Sequence, residues 1–362
     1  MREIKVNLKE RSYKIFIGAG ILQELKRILK PLKLGDTAYI ITNNTIKNAY
    51  GSYLQKALRQ AGFNAVFKTV ADSEKSKSLK TASAVIEDIA KYETKSRIFI
   101  IAFGGGVIGD LAGFVASIYK RGINYIHIPT TLLAQVDSSI GGKTAVDLSQ
   151  GKNLIGAFYQ PRMVIIDINL LRSLSNKEIS GGLAEIIKYG AIKDKPLFQY
   201  LEKNHAKVIA KDKKALEYII YRCCSIKARI TAKDEKEKKG LRTILNFGHT
   251  IAHAIEAAGG YEKYTHGQAV AIGMLAACQI SIMLKLAKKE IFCRMEKLIR
   301  ACGLPLKTKG IPSQKVFQAH LLDKKFEGAK NRFVLIEDIG RVKIIENIPA
   351  AVIKAAIKNR LN

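Results

Sequence analysis

Three histidines fall within 18 residues: His249 and His253 in the run GHTIAH, and His266 in THGQ. The first two are four apart and share one face of a helix. With a carboxylate beside them they would have the donor types of a catalytic zinc site, which takes about three protein ligands and leaves one position open. No Glu follows the first histidine, so this is not the H-E-x-x-H of a metalloprotease. Two histidines at helical spacing are equally consistent with a polar helix face. Glu185, one turn into a helix in GGLAEIIKYG, is the other candidate ligand, because a carboxylate buried among apolar neighbours needs a cation. Lys188, three residues on, offers one as an ordinary helix pair. Spacing alone leaves metal site and ion pair both open.

A second group carries the chemistry of anion binding. Residues 98–103, IFIIAF, read as a strand that runs into GGGVIGD, a G-x-G-x-x-G opening a helix. Glycines there let a pyrophosphate approach the backbone, and the helix N–H groups and dipole favour its charge. The alternative is a tight strand-to-helix turn. An ordinary Rossmann unit places an acidic residue about 20 positions on, for the ribose; here the next strand ends in Pro129-Thr130-Thr131. The nucleotide is therefore expected in a variant arrangement. Basic and amide residues recur in glycine-rich turns: Lys143 in IGGKT, Lys152 and Asn153 after Gly151, Arg121 before Gly122, and Arg242 with Asn246 ahead of His249. Each alone is consistent with a solvated surface charge. Together they point to a doubly anionic substrate, since a hydrogen bond to an ionised group contributes about 1.5–3 kcal/mol.

The elements that must position these residues follow from periodicity. Strand-like runs at 38–42, 65–70, 97–103, 125–128 and 164–167 alternate with helical patterns at 52–61, 81–91 and after Gly109, which reads as a parallel α/β sheet. From about Ser175 the pattern changes to long helices at 183–192, 216–231, 248–258 and 267–287. The expected fold is an α/β N-terminal domain (residues 1–174), Rossmann-like with a variant nucleotide site, followed by a mainly helical metal- and substrate-binding domain (residues 175–362). Residues 333–336 and 342–345 read as a hairpin, Pro349 as the first residue of a final helix, and 233–239 as an exposed loop.

Composition narrows the classes. A chain of 362 residues with 48% hydrophobic content can bury a large core. The longest apolar stretch, 269–284, is 16 residues and is broken by Gln279 and Ser281, short of the roughly 20 that span a bilayer, so a buried helix and no membrane association are expected. The N-terminal residues 1–8 alternate like a strand, without the apolar core of a signal peptide. Five cysteines without a C-x-x-C pair fit reduced, buried thiols and a cytoplasmic location. The net charge of +30, from 61 basic and 31 acidic residues, raises nucleic-acid binding. The lysines are dispersed, with no basic arm, no zinc-finger spacing and no tryptophan, so no nucleic-acid partner is expected.

The ordered motifs GGGVIGDLAGFVAS, IPTTLLAQVDSSIGGKTAVD, GKNLIGAFYQP, GLAEIIKYG, LNFGHTIAHAIEA and HGQAVAIGM resemble those of the 3-dehydroquinate synthase family over nearly the whole chain. The resemblance implies a homodimeric lyase of the shikimate pathway, which leads to aromatic amino acids. Its members keep NAD and a divalent metal, zinc or cobalt, and convert 3-deoxy-D-arabino-heptulosonate 7-phosphate to 3-dehydroquinate and phosphate. The steps are oxidation, phosphate elimination, reduction, ring opening and aldol closure. It implies Glu185, His249 and His266 as metal ligands. Lys143, Asn153, His253, Lys324 or Lys325 and, from the partner subunit, Arg121 would bind phosphate. Arg242 and Asn246 would take the carboxylate, and Lys188, Lys227 and Asp137 the substrate hydroxyls. Cofactor contacts would be Asp72, Ser73, Glu74, Lys75, Ser76 and Lys77, then Gly106, Val107, Ile108, Gly109 and Asp110. Thr130, Thr131, Lys143, Lys152, Leu170, Leu171, Arg172 and Ser173 would complete them, with Glu74 as the ribose acceptor. The chain departs from the family's usual pattern at Ser73 (commonly glycine), at Asn44 (frequently acidic) and in 234–242, one residue longer, which leaves Glu237 without a transferred role. Two other activities fit parts of the pattern: a sister cyclase acting on another sugar phosphate, and a metal-dependent polyol dehydrogenase.

Overall fold

The computed structural model describes residues 1–93, 97–321 and 331–360. In the N-terminal half the chain runs β1 (Arg2–Val6), β2 (Tyr13–Gly18), α1 (Leu25–Leu29), β3 (Thr37–Asn43), α2 (Asn44–Gln60), β4 (Asn64–Val70) and α3 (Leu79–Glu93). It continues through β5 (Ile98–Gly104), α4 (Gly106–Ile118), β6 (Tyr125–Pro129), β7 (Lys143–Leu148), β8 (Gly151–Phe158) and β9 (Met163–Asp167). The C-terminal half contains α5 (Asn176–Lys193), α6 (Lys195–Ile209), α7 (Lys213–Lys233), α8 (His249–Ala258), α9 (His266–Met283), α10 (Lys289–Ala301) and α11 (Ser313–Leu321). β10 (Arg332–Asp338), β11 (Arg341–Glu346) and α12 (Ala350–Lys358) follow.

Seven strands form one sheet in the order β1-β2-β9-β6-β5-β3-β4, parallel except for the edge pair β1-β2. The central strands are β-branched runs because both of their faces are covered. Alternate side chains divide between two cores: Ile40, Phe99 and Ile101 pack with Leu54 and Leu58 of α2, whereas Tyr39, Ile98 and Ile100 pack with Val85 and Ile89 of α3 and Leu111 of α4. Strand order reverses direction at β3, between β4 on one side and β5 on the other. Ligands of doubly wound sheets bind at the strand C-termini beside such a switch point, and that is where the glycine-rich turn after β5 lies. β7 and β8 form a separate antiparallel hairpin; the sequence reading took their glycines for turns alone.

Helix starts depart from expectation in an instructive way. α2 begins at Asn44, well before residue 52, because the Asn43 side chain accepts from the Ile46 N–H at 2.8 Å and caps it. α4 begins at Gly106, inside the motif, with Gly105 as its extended N-cap residue. Pro349 caps α12 from outside instead of being its first residue.

The chain divides into two compact units: residues 1–174 with 216–236, and 175–215 with 237–362. A single boundary at 174/175 therefore does not describe where α7 belongs. Most of α7 is tied into the first unit: the Cys224 thiol donates to the Gln135 carbonyl at 3.2 Å, and Lys227 binds Asp137. The segment after α7 stays there too, with Glu235 held by Arg11 at 2.7 Å and by Gln160 at 3.1 Å. In the second unit α9 is the core helix, packed by α5, α8, α10 and α12. Its 18 residues are apolar and long enough to cross a bilayer, but they are mostly buried inside the unit.

Candidate active site

In the second unit, close backbone contact builds the histidine cluster. A Cβ on Gly273 of α9 would lie 2.1 Å from the Gly248 carbonyl oxygen, and one on Gly267 would lie 2.3 Å from that of Gly181. Only glycine allows α9 to approach α5 and the start of α8 this closely. The consequence is convergence of Glu185 from α5, His249 from the first residue of α8 and His266 from the first residue of α9. Their ligand atoms lie within 4.8 Å of one another. The Nε2 atoms of His249 and His266 are 3.4 and 3.5 Å from Glu185 Oε1. An ion held tetrahedrally at about 2.0–2.1 Å from N and O donors sets those donors about 3.3 Å apart, so the group fits a zinc-like cation.

Geometry thus separates the two helix histidines. His253 stands edge-on to His249, ring centres 5.6 Å apart, and is outside the triad. The triad's Nδ1 atoms face other acceptors: the Phe247 carbonyl for His249 and Glu256 for His266, each at 3.2 Å. Burial works against a charged His266, but the hydrogen bonds with Glu185 and Glu256 outweigh it and raise its pKa to about 10. Burial, then Lys188, holds His249 well below its ordinary value. An incoming cation therefore displaces a proton from His266. Lys188, 2% exposed, pairs with Glu185, so the metal and ion-pair readings coexist in one cluster. Arg242 is buried in the turn Leu241–Asn246, which also carries Asn246, and it pairs with Glu237 at 3.1 Å.

In the first unit the glycine-rich turn is packed from below. A Cβ on Gly109 would lie 2.9 Å from His127 Cε1, and one on Gly105 would lie 3.1 Å from Thr131 Cγ2. Thr130 directly follows β6 beside the turn, its N–H donating to the Gly104 carbonyl at 3.0 Å. Lys77 is 5% exposed and brings three regions together: its ammonium binds Asp110 at 2.6 Å and the Asn153 side-chain oxygen, and lies 4.0 Å from Asp147. Asp147 in turn accepts from the Asn153 N–H at 2.7 Å, fixing that residue at φ 56. Burial raises the Asp110 pKa and the Lys77 charge works against the rise. Lys152 reaches Glu74 at 3.3 Å.

Ser73 sits in extended backbone at φ −155 and caps the turn Glu74–Ser76, its hydroxyl accepting from the Lys75 N–H at 3.2 Å. Glycine's freedom is not needed there, so serine fits. Asp72 and Lys75 are exposed, Ser76 is buried, and Val107 and Ile108 lie in the first turn of α4. Lys227 binds both the carbonyl at 2.9 Å and the carboxylate at 2.6 Å of Asp137. Lys143 opens β7 and is exposed, as is Arg121, which with Lys120 takes positive φ at the end of α4. Leu170 and Leu171 are core residues, so their backbone is what they offer a ligand; Arg172 and Ser173 are exposed. Lys324 and Lys325 lie outside the described residues.

Sequence reasoning missed Glu256, Asp147 and the role of Lys77 as a hub. Glu256 was accessible from spacing, since 249, 253 and 256 share one helix face. The contacts of Lys77 join distant segments and leave no local signal.

Comparison with known proteins agrees with this geometry. The family described as 3-dehydroquinate synthase N-terminal matches residues 67–181, and 3-dehydroquinate synthase C-terminal matches residues 182–326. The 3-dehydroquinate synthase of Thermoanaerobacter pseudethanolicus is 45% identical over 341 residues, 94% of this chain and 96% of the relative. Among solved structures, a 2-deoxy-scyllo-inosose synthase complexed with carbaglucose-6-phosphate, NAD+ and Co2+ superposes with a TM-score of 0.90 at 26% identity. The match covers 99% of this chain and 100% of that one. The 2-epi-5-epi-valiolone synthase of Streptomyces hygroscopicus subsp. jinggangensis, with NAD+ and Zn2+ bound, gives a TM-score of 0.88 at 25% identity over 98% of each chain. With both family regions matched in order and that identity sustained along nearly its full length, the chain belongs to the 3-dehydroquinate synthase family.

Proposed function

We propose that this chain is an NAD- and metal-dependent lyase that converts 3-deoxy-D-arabino-heptulosonate 7-phosphate to 3-dehydroquinate and phosphate. The observation that carries the reading is the Glu185, His249 and His266 triad, built from family motifs in a chain 45% identical to a 3-dehydroquinate synthase. When bound, NAD supplies a reversible hydride acceptor and zinc or cobalt a Lewis acid that acidifies a ligated hydroxyl.

The residues divide the remaining work. Glu185, His249 and His266 hold the ion, and Lys188, paired with Glu185, orients a substrate hydroxyl. Arg242, already desolvated at 4% exposure, and Asn246 bind the carboxylate. Lys143, Asn153 and His253, with Lys324 or Lys325 and Arg121 of the partner subunit, bind phosphate. Asp137 and Lys227 bind hydroxyls as a pair. The turn at Gly106 and Gly109 receives the pyrophosphate of the cofactor, with Asp110 and Lys77 fixing its walls and Glu74 taking ribose. The leaving phosphate accepts the proton in its own elimination. The enzyme acts as a homodimer in the cytoplasm. Five free cysteines, four of them buried, accord with a reducing compartment.

The test is discrimination between carboxylated and neutral substrates. The wild type releases phosphate from the heptulosonate phosphate and not from a neutral heptulose 7-phosphate. Arg242→Ala loses about 10- to 100-fold in kcat/KM, the worth of about 1.5–3 kcal/mol for a charged hydrogen bond. Preference for the neutral substrate would replace this reading with that of a sister cyclase.

A further inference from the structure

We propose that Glu256 is a positioning residue for the metal centre, acting through His266; this rests on the triad being the metal site. α8 carries His249, His253 and Glu256 at relative positions 0, 4 and 7, which share one helix face. The Glu256 side chain is 10% exposed, and a carboxylate so buried requires a partner. Its Oε1 accepts from His266 Nδ1 at 3.2 Å, while the opposite ring nitrogen lies 3.5 Å from Glu185 Oε1. Once the ring has given up its second proton to make way for a cation, that arrangement selects the tautomer in which Nδ1 keeps its hydrogen on Glu256 and Nε2 offers its lone pair.

The two histidines are held differently. His249 gives its Nδ1 to the neutral carbonyl of Phe247, two residues away on the chain, and its side chain is 11% exposed. His266 is 36% exposed, against 0% for Glu185, and follows the turn residues 259–265. It is the ligand least fixed by packing. It is also the one whose outer hydrogen bond goes to an ionised acceptor, which orients the ring and makes Nε2 more basic. Thr265 and Gln268 hold the backbone at this point: the Thr265 N–H donates to Gln268 Oε1 at 3.0 Å, the return arm of a capping box. Glu256 holds the ring.

The test compares Glu256→Ala, Glu256→Gln and His266→Ala by zinc titration of the metal-free proteins against a chromophoric chelator. The Co2+ absorption spectrum of each is recorded as well. Glu256→Ala is expected to bind zinc 10- to 100-fold more weakly, the range for loss of an outer carboxylate. Glu256→Gln, which keeps an acceptor oxygen without the charge, falls between Ala and wild type and shifts the Co2+ bands. If Glu256→Ala does not fold, the isosteric Glu256→Gln still decides. Unchanged zinc affinity and unchanged Co2+ bands in the Glu256 variants, with zinc lost in His266→Ala, overturn the proposal alone. Undiminished zinc binding in His266→Ala overturns the metal site and the proposal with it.

Discussion

Lys77 is the most informative residue to remove, because its charge holds together two parts of the candidate nucleotide site. It is 5% exposed, with Asp110 at 2.6 Å and the Asn153 amide on its other side. Replacing it by Met keeps the bulk of the side chain and deletes the charge. The Asp110 carboxylate, already pushed toward its neutral form by burial, then has lost the cation that offset this effect. Breaking a buried pair costs about 3–5 kcal/mol, and the low end applies because Asp110 keeps 22% of its side-chain exposure. A loss of about 3 kcal/mol corresponds to a fall of roughly 6–12 °C in Tm for a unit of this size. Lys77→Met with Asp110→Asn should recover most of that loss, because the carboxylate in direct contact with the lost cation is then neutral, while Asp147, 4.0 Å away, keeps the Asn153 N–H. NAD affinity, read by isothermal titration, should stay weakened in both variants because the site still lacks the cation. The reasoning fails if the two substitutions simply add in urea unfolding, or if the double variant binds NAD as the wild type does.

Further outcomes follow from other elements. His127 lies under Gly109, and burial lowers its pKa from 6.5 to about 4, so the folded protein keeps it neutral while the unfolded chain takes up a proton. Its contribution is whole above about pH 6.5 and is lost as pH falls toward 4. About 2 kcal/mol should be gone at pH 5, seen as a steeper stability loss between pH 7 and 5 in the wild type than in His127→Gln. Gly273→Ala, whose methyl would meet the Gly248 carbonyl, should cost about 1–3 kcal/mol in urea unfolding and weaken zinc binding by separating α8 from α9. Arg121→Ala, at an exposed position, should lose activity while keeping NAD and zinc affinity. Mixing it with an inactive His266→Ala protein should restore part of the activity through mixed dimers; no recovery after subunit exchange would remove Arg121 from the partner's site.

Local patterns carried much of the fold. The strands at 37–43, 98–104, 125–129 and 163–167 were legible because buried parallel strands need unbroken β-branched runs. The β7-β8 hairpin was not, since Gly141, Gly142 and Gly151 read equally well as isolated turns. The placement of α7 was not legible either: its attachment depends on Cys224 meeting Gln135 and Lys227 meeting Asp137, and periodicity holds no trace of such pairs. At the site, spacing identified His249 but paired it with His253 as readily as with His266. What selects His266 is the close approach of α9 to Gly181 and Gly248, a consequence of packing that helical periodicity does not contain. The motif resemblance supplied that choice because it carries the packing implicitly.

The most direct measurement follows inorganic phosphate and absorbance at 340 nm together while the metal-loaded protein, with NAD far below substrate, acts on 3-deoxy-D-arabino-heptulosonate 7-phosphate. The account predicts many equivalents of phosphate per NAD, 3-dehydroquinate by mass and no accumulation of NADH, with activity abolished in His266→Ala. Phosphate release that stops at one equivalent per NAD with NADH accumulating, or activity that survives loss of His266, would contradict it.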